Sequence, residues 1–226
     1  MFKWIWIVCF FFGLAAHAQR SDFSGIDFAK ADAIAERYKG EALSNLPVLV
    51  LKLTAQLETD VEKFRVLHTW VTHNIKGDYR LTLHSTRMFK KLQKDSVALE
   101  AWNRNFKKEV FQRLREDRET LCSGYAYLLQ HMAQLAGLYC TVINGYGQGD
   151  YNRLKDMEVP NHAWNAVSLN GKWYLCDATW SAGIIDAKTY DFHFQYEDSY
   201  FLMDPEVFME THRPLEPVWY LIKAVE

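Results

Sequence analysis

Cys122, His162 and Asp177 supply the residue types for a nucleophile, a general base and an orienting carboxylate. Brought together they would perform acyl transfer. The thiolate attacks a carbonyl carbon, the imidazole carries the proton between sulfur and leaving group, and the carboxylate fixes the imidazole tautomer. Taken singly, each has an ordinary explanation. A cysteine on a core helix packs as a small apolar residue, a histidine beside Trp164 is a satisfied strand residue, and Asp177 is a turn carboxylate. What joins the three is the kind of element each falls in.

Cys122 opens a stripe of Tyr125, Leu128, Leu129, Met132 and Leu135 at helical spacing, which stops at Gly137, where a left-handed cap residue serves. At the first turn of a helix, unpaired N–H groups and the positive end of the dipole favour thiolate over thiol. The Cys122 N–H is there a natural oxyanion donor. Three strand-like runs follow, 139–146, 162–169 and 172–179, the last two joined by Asn170-Gly171, a strong two-residue hairpin signal. That turn sets His162 opposite about position 179 and diagonal to Asp177, so the carboxylate can reach the imidazole. Upstream, apolar spacing predicts helices over 28–38, 47–57 and 60–75, the third started by Thr59-Asp60 and stopped by Gly77. The charged segment 86–118 predicts one or two exposed helices lying over part of the core.

With 226 residues, 49% of them hydrophobic, the chain suffices for one substantial core. Its 26 basic and 28 acidic side chains are interspersed, so no field attracts nucleic acid or anionic lipid. The first residues stand apart. Lys3, the apolar run 4–14 and Ala16-His17-Ala18 follow the order of a secretory signal peptide, too short for a membrane span, with cleavage expected between Ala18 and Gln19. The chain is therefore expected to be exported and, once cleaved, to have no membrane association. Loss of Cys9 with that segment leaves Cys122, Cys140 and Cys176, an odd number that raises the question of a reactive thiol. Cys140 and Cys176 fall on neighbouring strand candidates, and free and buried is preferred over a cross-strand bridge. No C-x-x-C or H-x-x-x-H pair occurs. Asp150, Asp156 and Glu158 precede His162 without any EF-hand pattern, so neither metal nor cofactor is implied.

The strings L-C-S-G-Y-A at 121–126, N-H-A-W-N-A-V at 161–167 and W-Y-L-C-D-A-T-W at 173–180 resemble the three core motifs of the transglutaminase-like domain family. Within it they are similar to the branch that contains the kyphoscoliosis peptidase and the fungal cytokinesis protein three. The segments F-R-V-L-H-T-W-V-T-H-N-I at 64–75, Y-F-L-M-D-P-E-V-F at 200–208 and T-H-R-P at 211–214 extend the likeness to about 46–222. The resemblance implies an α+β, papain-like fold: a nucleophile helix on an antiparallel sheet, with further helices N-terminal to it. It also implies Cys122 as nucleophile, His162 as base and Asp177 as orienter, acting through a thioester on protein or peptide substrates. Residues 1–18 are then the signal peptide, 19–45 an N-terminal helical extension and 46–226 the transglutaminase-like domain. Trp164 and Trp180 flank the motifs as substrate-cleft candidates. Thr120 stands where the family usually has glycine, and 82–118 is longer and more helical than usual, placed to shield the cleft. Hydrolysis is favoured over amine cross-linking. The other readings are a binding module that keeps the fold as a scaffold, and an amidase acting on glycan-linked or arylamine substrates. Asp177→Asn is expected to be the milder of the site substitutions, since an amide can still orient one imidazole tautomer.

Overall fold

The computed structural model describes residues 19–148, 159–186 and 188–221. Residues 1–18, expected to be a signal peptide, and Asp150, Asp156 and Glu158 lie outside the described residues. Helix α1 (Ala29–Arg37) and helix α2 (Leu46–Thr54) pack around α3 (Asp60–Asn74). The third helix begins with a capping box: the Thr59 side chain accepts from the Glu62 N–H, and the Glu62 carboxylate accepts from the Thr59 N–H. Buried on nearly every side, α3 is the central post of the helical layer. Its buried Arg65 pairs with both Asp32 oxygens, at 2.7 and 2.9 Å, and with Asp198. The stretch 19–45 thereby joins the main core, where Phe23, Ala31, Ile34, Ala35 and Leu43 are buried. It is an extension in sequence but part of the same packed body.

Helix α3 ends at Asn74 with Ile75 as its C-cap, one residue short of the expected 75, and Lys76 and Gly77 form a short strand, β1 (Lys76–Gly77). Two helices follow, α4 (Tyr79–Leu92) and α5 (Ser96–Asp117). The first starts well before Thr86, because the Asp78 side chain caps the Leu81 N–H. The second ends at Arg118 in the left-handed conformation (φ 57°), and the chain enters β2 (Glu119–Thr120), which pairs in parallel with β1. A small cluster of Leu81, Phe106, Val110 and Leu121 fastens this helical hairpin beside the next element.

That element is α6 (Cys122–Leu135), which lies on an antiparallel sheet in the order β5-β4-β3-β8. The sheet comprises β3 (Tyr139–Gly147), β4 (His162–Leu169), β5 (Lys172–Cys176) and β8 (His212–Pro214). Asn170 and Gly171 turn β4 into β5 with φ of 51° and 78°, as the hairpin signal requires. Asn165 fixes helix to sheet, its amide donating to the Ala126 carbonyl at 2.9 Å and to that of Thr141 at 3.1 Å. Cys140 pairs with Val167 and Cys176 with Asn165 on opposite sides of β4. A full strand stands between the two sulfurs. Two inter-strand spacings of about 4.8 Å exceed the reach of a disulfide, and both thiols are free and buried.

The strand expected to run to Thr179 stops at Cys176, and the chain coils into α7 (Ala178–Ala182). A small hairpin of β6 (Gly183–Ile185) and β7 (Phe192–Phe194) follows, and then α8 (Pro205–Phe208) leads into β8. Among the described residues no helix is long and apolar enough to cross a membrane.

Candidate active site

The site gathers at one end of the sheet, where α6, β4, α7 and β8 begin. Cys122 is the first residue of α6 and is half-buried, so the helical hairpin on its Leu121 side leaves it accessible. Leu121 supplies no side-chain cap, and the first-turn N–H groups keep their positive field for whatever approaches the sulfur. Glycine at position 124 costs about 1 kcal/mol in helix propensity relative to alanine. Its reason is Thr120, whose side chain fills the space that a Cβ at 124 would need. Threonine in the position of the family's usual glycine thus works because its neighbour one turn on is bare. Gly124→Ala is expected to lower stability by about 1–3 kcal/mol through overpacking, and the added change Thr120→Gly to recover most of it. Thermal melts of the two variants check this.

His162 opens β4 and lies against Gly147 of β3, where a Cβ would come within 2.9 Å of its ring. Trp180 of α7 stacks on the ring's other side with centroids 5.0 Å apart. The preceding residue, Asn161, holds the edge of β3: its side chain accepts from the Gly147 N–H at 2.9 Å and donates to the Gly147 carbonyl at 3.0 Å. The Asn161 carbonyl faces Cys122 Sγ at 3.9 Å. Trp164, one of the two tryptophans expected at the cleft, is instead 1% exposed behind the histidine, packed on Ile143 and Phe208 as core. Trp180 is the one that borders the site.

Asp177 is fully buried and serves as N-cap of α7. Its Oδ1 accepts the N–H groups of Thr179 at 2.8 Å and Trp180 at 3.2 Å. Capping is the physical reason the strand ends where it does. With Oδ1 so fixed, Oδ2 points at His162 and accepts from Nε2 at 2.6 Å. Nε2 is thereby committed, and Nδ1 is the ring nitrogen left for Cys122. A second histidine, His212 of β8, places its Nε2 3.1 Å from the same Oδ2. His212 lies in the T-H-R-P string at 211–214, whose residue types and spacing assign it no part in the site. The ligand atoms of His162, Asp177 and His212 lie within 4.8 Å of one another. They are closed on each other by hydrogen bonds, and a zinc ion about 2 Å from each would have to part them.

Burial disfavours charge on both partners, yet their mutual attraction wins. For His162, desolvation is outweighed by the charge and hydrogen bond of Asp177, with Cys122 adding to them, and its pKa is raised to about 10. For Asp177, desolvation is outweighed by His162 and then His212, which hold it well below the usual carboxylate range. His212 itself is shifted down, by burial first and by the neighbouring His162 charge. The stability carried by a raised histidine is complete below its ordinary value of 6.5 and drains away as pH climbs toward about 10. The contribution of Asp177 is present above its ordinary 3.8 and lost as pH falls below that. The melting temperature is expected to fall between pH 6.5 and 10, and this slope to flatten in His162→Gln.

A helix that presents a cysteine to a histidine and carboxylate at the edge of an antiparallel sheet defines the class of papain-like and transglutaminase-like proteins. The chain belongs to the transglutaminase-like superfamily, whose model matches residues 48–178. It is similar to the human (Homo sapiens) kyphoscoliosis peptidase, with 34% identity over 221 residues, covering 93% of this chain and 30% of that protein. It is also similar to cytokinesis protein 3 of Schizosaccharomyces pombe, 33% identical over 94 residues, covering 41% of this chain and 10% of the other. A crystal structure of a TGase aligns with a TM-score of 0.39 and 15% identity, covering 83% of this chain and 39% of that one. The chain spans about a third or less of the length of these curated relatives.

Proposed function

We propose that this chain is an exported cysteine-dependent acyl-transfer enzyme acting on protein or peptide amides, with Cys122 as nucleophile, His162 as acid and base, and Asp177 as orienter. The observation that carries the reading is the 2.6 Å bond from His162 Nε2 to Asp177 Oδ2, which leaves the other ring nitrogen free to serve the cysteine at the start of α6. Export rests on the pattern of residues 1–18. Membership of a superfamily that includes a relative named as a peptidase is consistent with it.

In this mechanism the Cys122 sulfur attacks the substrate carbonyl carbon, a C–S bond forms and the carbonyl electrons move onto oxygen. The backbone N–H of Cys122 donates to that oxyanion. As the C–N bond breaks, the proton on His162 Nδ1 passes to the departing amine, leaving a thioester. Water then gives a proton to His162 and attacks the thioester carbon, and cleavage of the C–S bond releases the acid and restores the sulfur. An amine in place of water gives a cross-link by the same steps. Hydrolysis is the favoured outcome because water is the most abundant acceptor outside the cell.

The test is alkylation of Cys122 by iodoacetamide, followed by mass spectrometry, in the wild type and His162→Ala, alongside turnover of casein and of a glutamine donor with a labelled amine. Reactivity that collapses without the histidine, together with peptide release, supports the hydrolase. Incorporation of the amine assigns the transferase. A thiol equally inert in both proteins, with no turnover, would return the chain to the scaffold reading.

A further inference from the structure

Asp177 Oδ2 receives two imidazoles, and only one of them belongs to the proposed Cys-His pair. His212 is fully buried and comes from β8, at the opposite end of the sheet from β5, which leads to Asp177. Its Nε2 lies 3.1 Å from Asp177 Oδ2, while Nδ1 lies 2.9 Å from Thr211 Oγ1 and 3.2 Å from the Phe208 carbonyl oxygen. A lone pair on Nε2 would face the carboxylate at that distance, so Nε2 carries a proton. Thr211 can then donate its hydroxyl to the bare Nδ1 at the shorter of the two distances, which leaves His212 neutral and the Phe208 carbonyl without a hydrogen bond from the ring. A second positive ring beside His162, whose centroid is 5.4 Å away, would have only one carboxylate to share. The ring is also locked in place, stacked on Phe208 at 3.9 Å and packed against Trp180 at 4.4 Å.

We propose that His212 is a positioning residue: a neutral Nε2–H donor that completes four hydrogen bonds on Asp177 and so fixes the carboxylate direction that aims His162 at Cys122. With Thr179 and Trp180 on Oδ1, and His162 and His212 on Oδ2, the carboxylate is held from two sides and has little freedom to rotate. His212 touches neither sulfur nor substrate in this role. The inference rests on the acyl-transfer reading for its purpose, but its own chemistry can be measured without any substrate.

Nitrogen NMR of histidine-labelled wild-type protein at neutral pH reads the tautomer directly. His212 is expected neutral with its proton on Nε2, and a proton on Nδ1 alone or on both nitrogens would overturn the proposal. Two substitutions add a functional readout. His212→Gln returns an N–H donor at the Nε2 position, whereas His212→Phe fills the same aromatic space without one. Iodoacetamide alkylation of Cys122 is expected to slow about tenfold or more in His212→Phe, the scale of a misplaced reacting group, and to recover substantially in His212→Gln. Equal rates in the two variants would assign His212 to packing alone. If His212→Phe fails to fold, the wild-type tautomer still decides. Should wild-type Cys122 prove unreactive regardless of His162, the acyl-transfer reading fails, while the tautomer result stands separately.

Discussion

Replacing Cys122 by alanine is expected to abolish turnover, on the order of 10⁴-fold or more, and to leave the melting temperature nearly unchanged. The two halves of that expectation come from different observations. The sulfur is the nucleophile in the proposed chemistry, at the first position of α6. The side chain is also half-buried, at a first-turn position where alanine is the best helix former. Activity assays beside thermal melts check both. A large drop in stability would mean that Cys122 is a packing residue and that the assay loss follows from unfolding.

Asp177→Asn carries the second large effect, and here the structure reverses an expectation. Sequence reasoning treats the amide as a tolerable orienter, since its oxygen still accepts from one imidazole. The site offers no place for the amide's other half. Both carboxylate oxygens already face donors: backbone N–H groups on one side, two ring N–H groups on the other. An NH₂ on either side meets donors and leaves His162 without its counter-charge in a buried setting. Removing one member of a buried pair costs about 3–5 kcal/mol, and at about 2–4 °C per kcal/mol the melting temperature should fall on the order of 10 °C. Turnover is expected to drop about 10⁴-fold as the imidazole loses its tautomer. A variant that melts like the wild type would show that the carboxylate rotates to accommodate the amide.

The elements that the sequence made legible are those with local causes. Thr59 and Glu62 signal a helix start three residues apart, Asn170-Gly171 signals a hairpin, and Gly137 (φ 80°) marks the end of the Cys122 helix, each within a few positions. The pairing of His162 with Asp177 followed from the hairpin, although the ladder itself stops at Cys176 and the last step is made by the cap of α7. What stayed hidden depends on distant contacts. His212 meets Asp177 only because β8 joins the far edge of β3, where Gly145 pairs with Pro214 and Gly147 with His212. No spacing rule connects residues 35 apart across such a join. The burial of Trp164 is of the same kind, set by α8 and β8 closing over it. The early start of α4 has a local cause as well, the Asp78 cap, but it lies ahead of the charged stretch that marks the helix in the sequence.

The two-residue parallel ladder of β1 and β2 brings residues 76 and 77 beside 119 and 120. The chain leaves the core at Gly77, builds the whole helical hairpin, and re-enters next to its point of departure, immediately before Cys122. Such a gate works like the neck of a side loop in plumbing: what hangs from it can be lengthened, shortened or exchanged while the through-flow keeps its course. The exposed faces of 78–118 can therefore carry new recognition surfaces beside the reacting sulfur, while Leu81, Phe106, Val110 and Leu114 keep the module fastened to the frame that aims it.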